Sequence, residues 1–507
     1  MHVRDVNIKG LWRDWPIPVA LCLIVVLGAT LRLYGLRSQS LWNDELSAWA
    51  RSSYESPAQV IDLGVRPDVH PPGYQILLYF VMEAFGDGEA VLRLPSAIIG
   101  ILSVLAIYFL GAYIYTPKEG VLAAALMAAL WTPLYYSQEA RPYSLLLLMS
   151  ILSSLAWFRL ARDVQLQQQL RWSSIALYVL VATATCYIHY YGLLLIFFQG
   201  LYLGTVFARR RNALGRVGIA YLAILALYAP WLPDLFADFV VEETWIPRPT
   251  VYSLLSYAGF LFGNSLVLVL LAAEAFGLLI WTRLRAVRRP IRTRLGQRLL
   301  DPTIILLIWL TVPVSAAFLK SLVSTPVFTD RNLIICLPAA YLLLAHFVFV
   351  LPGSMRISPT LLSVGAVLLS FGLAAEVILR MDYYSGIHKQ QFREAAQHVV
   401  NDSSKYPNSV VIGCVWNTRY LEYYFEHLGS PRTVLGPVWS EEHTMLLEKI
   451  VGEESPNYMW YVAVHRQPTE ELLAFLSAEF GEIASTDFYD ARVWLYVVSR
   501  VETVSGN

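Results

Sequence analysis

Residues 94–115 read LPSAIIGILSVLAIYFLGAYIY, a run without a single charged side chain. The hydrocarbon core of a bilayer is about 30 Å thick, so a helix needs about 20 mostly apolar residues to cross it. Only a helix can pair all of its backbone groups internally where no water is present. The run therefore predicts a transmembrane helix. The same pattern recurs at 16–34, 120–136, 142–158, 172–188, 191–208, 217–231, 256–281, 303–319, 333–350 and 359–379, which gives eleven expected crossings. Composition agrees, with 56% hydrophobic and 15% charged residues, against roughly 45–50% and about 25% in a soluble domain. The expected fold class is a multi-spanning α-helical membrane protein in contact with the lipid bilayer. The first apolar run, 17–31, has the length of a signal peptide but no small-residue cleavage site, so it is read as the first membrane helix.

Charge distribution orients the chain. The 38 basic and 38 acidic residues cancel, so net charge gives no indication of a nucleic-acid partner. The arginines cluster instead: Arg159 and Arg162, then Arg209 to Arg211 with Arg216, then seven between Arg283 and Arg298. These clusters fall in alternate loops, which should be cytoplasmic, as should the basic tail with Arg4, Lys9 and Arg13. The intervening loops should face the other side of a cell inner or plasma membrane. One segment, 70–86 (HPPGYQILLYFVMEAFG), starts with two prolines and offers only about 14 helical residues, too few to cross. It is read as an interfacial or re-entrant helix within a first extracytoplasmic loop of residues 35–93. From residue 381 the composition becomes that of a soluble domain, with helices expected at 390–400, 419–428 and 470–480 and strands at 409–415, 460–464 and 492–498. The expected organisation is a membrane domain, 1–380, and an extracytoplasmic α/β accessory domain, 381–507. The four cysteines lie far apart, so neither a disulfide framework nor a zinc cluster is indicated.

Charges that persist beside membrane helices are costly and mark functional candidates. In the first loop, SLWNDELSAW (40–49) sets Asp44 and Glu45 between two tryptophans. A carboxylate there suits a general base that deprotonates an acceptor hydroxyl or amine; capping of a helix start is the simpler role. His70 and Tyr74 lie in HPPGY. Arg93 precedes the charge-free run, where snorkelling to headgroups is its ordinary role. Glu139 and Arg141 are the only charges between residues 120 and 157, followed by Pro142 at a favoured helix start and by Tyr143. His189 and Tyr190 interrupt another apolar run, and Asp330-Arg331 precedes the tenth expected helix. Arginine and histidine aimed at a phosphate would stabilise the charge of a departing lipid phosphate. A lone acidic pair offers too few ligands to argue for a divalent metal, and no cofactor is indicated.

At these residues the sequence resembles the GT-C superfamily of integral membrane glycosyltransferases, in particular the protein O-mannosyltransferase and lipid A aminoarabinose transferase group. The resemblance spans about residues 15–380 and rests on the order of Asp44-Glu45, His70-Pro-Pro-Gly-Tyr74, Arg93-Leu-Pro-Ser-Ala97 with Gly100, Gln138 to Tyr143, His189-Tyr190 and Asp330-Arg331. It implies a polyprenyl-phosphate-linked sugar donor, inverting transfer on the extracytoplasmic side, Asp44 as the base, and His70 near the donor phosphate. The acceptor, whether glycan, lipid or protein, stays open. The rival expectation is a lipid or sugar transporter or flippase without transferase activity, which would favour duplicated halves and charges at the membrane midplane.

Overall fold

A computed structural model describes residues 15–165, 171–207, 211–239, 244–288, 301–350 and 357–498. The basic tail, Arg209 and Arg210, and Arg289 to Arg298 lie outside the described residues. The chain divides into two compact units, one of 1–34, 55–80 and 93–382, the other of 35–54, 81–92 and 383–507.

Among the described residues, the regular elements of the first unit are all helices. Among the described residues, seven helices are long and apolar enough to cross a bilayer: Pro16–Leu33, Glu89–Ile114, Tyr143–Asp163, Leu214–Asp238, Pro302–Val323, Arg331–Val350 and Pro359–Arg380. Two expected crossings are broken helices instead. Pro117–Ala129 and Trp131–Ser137 meet at 58°, and Val251–Leu261 and Leu266–Thr282 meet at 101°. The second break turns on Gly263 and Asn264, both in the left-handed region, where Gly and Asn are the residues best tolerated. Trp172–Ile188 and Tyr190–Gly204 are shorter apolar helices, so the eleven expected crossings become seven full-length helices and up to nine with the bent pairs. Gly73–Phe85, with 13 residues, is likewise short of a span.

Pro117–Ala129 is the centre of the unit. It packs on Pro16–Leu33, Leu337–Val350 and Pro359–Ala375, and from Glu119 to Ala129 all but one of its residues are buried. Close approach to Glu89–Ile114 is possible because Gly111 faces Gly120, where a Cβ on Gly111 would stand 2.8 Å from the Gly120 Cα. The helix stops at Leu130, whose backbone is extended, and this leaves carbonyls without helical donors in a place without water. Arg32 supplies them: Nη1 donates to Ala128 O and Nη2 to Met127 O, each at 2.8 Å. The exchange is reciprocal. Gln138 Nε2, just past the short helix, donates to the last carbonyls of Pro16–Leu33 and its cap, Leu31, Arg32 and Tyr34, at 3.1, 2.9 and 2.8 Å.

The second unit carries a five-stranded sheet of order β2-β1-β3-β5-β4, with β1 at Ser409–Cys414, β2 at Val434–Leu435, β3 at Tyr458–Val464, β4 at Gly481–Phe488 and β5 at Ala491–Val497. β2, β1 and β3 run parallel; β5 and β4 are antiparallel additions. The central strands β1 and β3 are buried almost throughout, as strands covered on both faces must be. Phe392–Asp402, Arg419–His427, Thr444–Glu454 and Glu470–Glu479 are the helices. β2, β4 and Thr444–Glu454 are additions to the expected elements. The same unit holds the helix Asn43–Ser52 and the segment 81–92. Asp87 fixes that segment, accepting from Trp49 Nε1 at 2.9 Å and pairing with His427 Nε2 at 3.1 Å, while its carbonyl accepts from the Tyr423 hydroxyl at 2.9 Å.

Two outcomes follow from these contacts. Arg32→Leu strands the carbonyls of Met127 and Ala128 and should destabilise the purified protein by at least about 2 kcal/mol, from charged hydrogen bonds of about 1.5–3 kcal/mol each; thermal unfolding identical to the parent would contradict the clamp. Hydrogen bonding to Asp87 raises the His427 pKa, and the same bond lowers that of Asp87. The histidine's contribution is complete below its ordinary value and is lost as pH rises through the raised one. The carboxylate's contribution is lost as pH falls through its depressed one. Protection of the 81–92 amides, corrected for intrinsic exchange, should thus be highest between about pH 4 and 6.5 and fall toward pH 8, and His427→Gln should remove that alkaline dependence.

Candidate active site

The helix Asn43–Ser52 places Asp44 and Glu45 in its first turn, where the exposed N–H groups and the helix dipole favour negative charge. Their environments differ. Glu45 is fully buried; its Oε2 accepts from the Trp42 N–H at 3.4 Å and pairs with Lys389 Nζ at 3.0 Å. A buried carboxylate persists as an ion only with such compensation, so the Lys389 ammonium fixes Glu45 as a structural anion. Asp44 is half-buried, the more accessible of the two carboxylates. The helix start is held further by Gln390, whose Oε1 accepts from the Asn43 N–H at 2.8 Å and whose carbonyl accepts from the Ser40 hydroxyl at 2.5 Å. Lys389 and Gln390 escaped sequence reading because they lie about 345 residues from their partners and no local pattern marks them.

The first unit gathers most of the other candidates. His70 Nδ1 lies 2.8 Å from Asp68 Oδ2, and its ring meets His189 edge-on with centroids 5.5 Å apart. The Tyr143 ring is 6.3 Å from His189. Two guanidiniums address that same tyrosine, with Arg141 Cζ at 5.8 Å and Arg331 Cζ at 5.9 Å from the ring centroid, a cation–π geometry. Trp245 faces Arg331 at 5.1 Å. Tyr74 joins through Ser96, whose hydroxyl lies 3.4 Å from both the Tyr74 hydroxyl and the Arg141 carbonyl. Ser96 belongs to the Arg93-Leu-Pro-Ser-Ala97 motif and was legible there; Asp68, two residues before His70, was passed over.

His189 is the most telling member. It caps Trp172–Ile188, is buried, and its Nδ1 accepts from the Tyr191 N–H at 3.2 Å. Nδ1 as acceptor leaves the proton on Nε2, which is buried without a well-formed hydrogen bond, beside the Asn332 amide. Burial holds the imidazole well below its usual pKa, and electrostatic repulsion from His70, Arg141 and Arg331 pushes the same way. The site therefore offers a neutral N–H donor near the Arg141 and Arg331 guanidiniums. Glu139 and Arg93 are buried in the same unit, Arg93 within Glu89–Ile114. Tyr190 turns to another network, donating to Asp238 and accepting from Trp231 Nε1 at 3.3 Å. Asp330 accepts from Ser256 at 3.0 Å. No group of three or more His, Cys, Asp or Glu side chains is placed to hold a metal ion among the described residues.

Residues 69–233 match the family of dolichyl-phosphate-mannose-protein mannosyltransferases. No curated protein matches the chain in sequence. Among solved structures, ArnT from Cupriavidus metallidurans in the apo state superposes with a TM-score of 0.56 at 14% identity, over 96% of this chain and 98% of that one. The same protein bound to undecaprenyl phosphate gives 0.56 at 13% identity, over 95% and 98%. The oligosaccharyltransferase AglB from Archaeoglobus fulgidus, in complex with an inhibitory peptide and a dolichol-phosphate, gives 0.55 at 13% identity, over 97% and 75%. The chain thus shares the multi-helical membrane-protein fold of ArnT and AglB, with a small C-terminal sheet domain, and within it residues 69–233 are similar to the mannosyltransferase family.

Proposed function

We propose that the chain is an inverting glycosyltransferase that moves a sugar from a polyprenyl-phosphate-linked donor to an extracytoplasmic acceptor. The observation that carries this reading is the pair of guanidiniums, Arg141 and Arg331, on the Tyr143 ring beside the neutral His189. Two guanidiniums on one ring make a cationic surface that attracts an anionic ligand. Phosphate suits them, since guanidinium forks bind its oxygens bidentately and a neutral imidazole adds a donor without further charge repulsion. The lipid phosphates bound by ArnT and AglB support the same donor class for this fold.

In the reaction, Asp44 accepts the proton of the acceptor hydroxyl or amine as that atom attacks the anomeric carbon. The bond between the anomeric carbon and the phosphate oxygen breaks, its electron pair stays on the phosphate, and polyprenyl phosphate leaves against Arg141, Arg331 and the His70–His189 pair. One displacement inverts the anomeric configuration. Glu45 is a positioning residue here, because Lys389 neutralises it and it ties down the Asp44 turn. Arg93, Tyr74 and Glu139 shape the donor side. The arginine-rich loops of the sequence support a reaction on the extracytoplasmic side of a cell inner or plasma membrane.

Two expectations test this. Asp44→Asn keeps the side-chain shape and removes the base, so transfer from a polyprenyl-phosphate sugar should fall by about 10²–10⁴-fold with donor binding unchanged; normal turnover would remove Asp44 from the mechanism. Arg331→Gln should instead weaken binding of polyprenyl phosphate itself, by about tenfold or more for a charged hydrogen bond lost, and undiminished binding would take Arg331 off the donor.

A further inference from the structure

The second unit holds an aromatic and cationic cluster that the donor chemistry does not use. Trp416 lies two residues beyond β1, Trp439 four beyond β2 and Arg466 two beyond β3, so all three leave the carboxyl ends of the parallel strands. From the central β1 the chain goes to β2 on one side and then crosses to β3 on the other. In α/β sheets the carboxyl ends on either side of such a reversal frame the ligand crevice. Gly436 brings Trp439 there: it is in the left-handed region, φ 123°, and a Cβ would come within 3.0 Å of the Gly413 carbonyl oxygen.

The Arg466 guanidinium lies over both indoles, with Cζ 3.7 Å from the Trp439 ring centroid and 4.4 Å from that of Trp416. Contact with aromatic rings pre-organises a guanidinium, and its N–H donors lie at the edge of its plane, not on the face that meets a ring. Among the described residues no carboxylate lies within ion-pair distance of it, and Trp416 is 57% exposed. The cluster is also wired to the acidic turn. His465, beside Arg466, pairs with Asp490 Oδ2 at 3.3 Å, Gln390 Nε2 donates to the same oxygen at 2.9 Å, and Gln390 Oε1 accepts from the Asn43 N–H at 2.8 Å.

We infer that Trp416, Trp439 and Arg466 form an acceptor subsite for an anionic saccharide. The electron-rich indole face attracts the partly positive C–H edge of a pyranose ring, and the guanidinium edge binds its carboxylate or phosphate. This rests on the transferase reading and supplies its acceptor class.

The test uses the full chain in lipid nanodiscs without donor, so binding is read whether or not Asp44 transfers sugar. Oligogalacturonate, a hexose phosphate and an uncharged galacto-oligosaccharide are titrated against intrinsic tryptophan fluorescence and calorimetry. An anionic saccharide should bind about tenfold or more tighter than the uncharged one, the size of a charge-assisted hydrogen bond, and the first two probes tell carboxylate from phosphate. Arg466→Gln should abolish that preference and Trp416→Ala should weaken binding of every saccharide, both with unchanged thermal unfolding. Should Arg466→Gln fail to fold, Arg466→Lys, which keeps the charge but not the planar fork, should still lose most of the preference. Equal affinity for charged and uncharged probes, or a preference that survives at either Arg466 variant, overturns the proposal.

Discussion

A polypeptide that breaks its helix inside hydrocarbon must find donors for the exposed carbonyls, and the architecture of the first unit turns on how this chain meets that demand. The break after Ala129 is closed by Arg32, and the end of the Arg32 helix is closed in return by Gln138. Cations at helix C-termini also answer the dipole. Gly100 makes the arrangement possible, since a Cβ there would fall 2.6 Å from the Ser137 Cβ and 2.8 Å from Arg32 Nε. The consequence is functional: Gln138 leads directly into Glu139, Arg141 and the start of Tyr143–Gln165, so the clamp sets where the Arg141 guanidinium and the Tyr143 ring stand.

The second unit solves a different electrostatic problem. Two adjacent carboxylates at one helix start would repel each other, and burying Glu45 against Lys389 removes one from play. The helix N-terminus then acts on Asp44, the more accessible carboxylate. Gln390 ties the backbone of the same turn to His465, just beyond β3, and to Asp490 in the β4–β5 turn, so the acidic turn is hydrogen-bonded to the residue beside Arg466.

Hydropathy revealed the membrane helices because the bilayer imposes a length and a polarity that any sequence must show. It could not reveal the break at Leu130, which is apolar like its neighbours; the Gly263-Asn264 turn carried a visible signal inside a run that was read as continuous. Residues made conspicuous by charge in apolar surroundings, Arg141, His189 and Arg331, do gather with His70 and Tyr143. Arg32 was invisible because an arginine near a helix end ordinarily snorkels, and its buried role needs knowledge of the helix packed against it. The strand β4 was missed because an edge strand exposed along most of its length shows little hydrophobic alternation. Lys389 and Gln390 depend on contacts between distant parts of the chain that only the fold supplies.

The central claim is a single displacement at a polyprenyl-phosphate-linked sugar. The most direct measurement supplies the purified full chain with a panel of such donors and candidate acceptors, quantifies the lipid released and determines the anomeric configuration of the product by NMR. The account predicts one polyprenyl monophosphate released per sugar transferred, with the configuration inverted; transfer with retained configuration, or sugar moved across the bilayer with the donor intact, would contradict it.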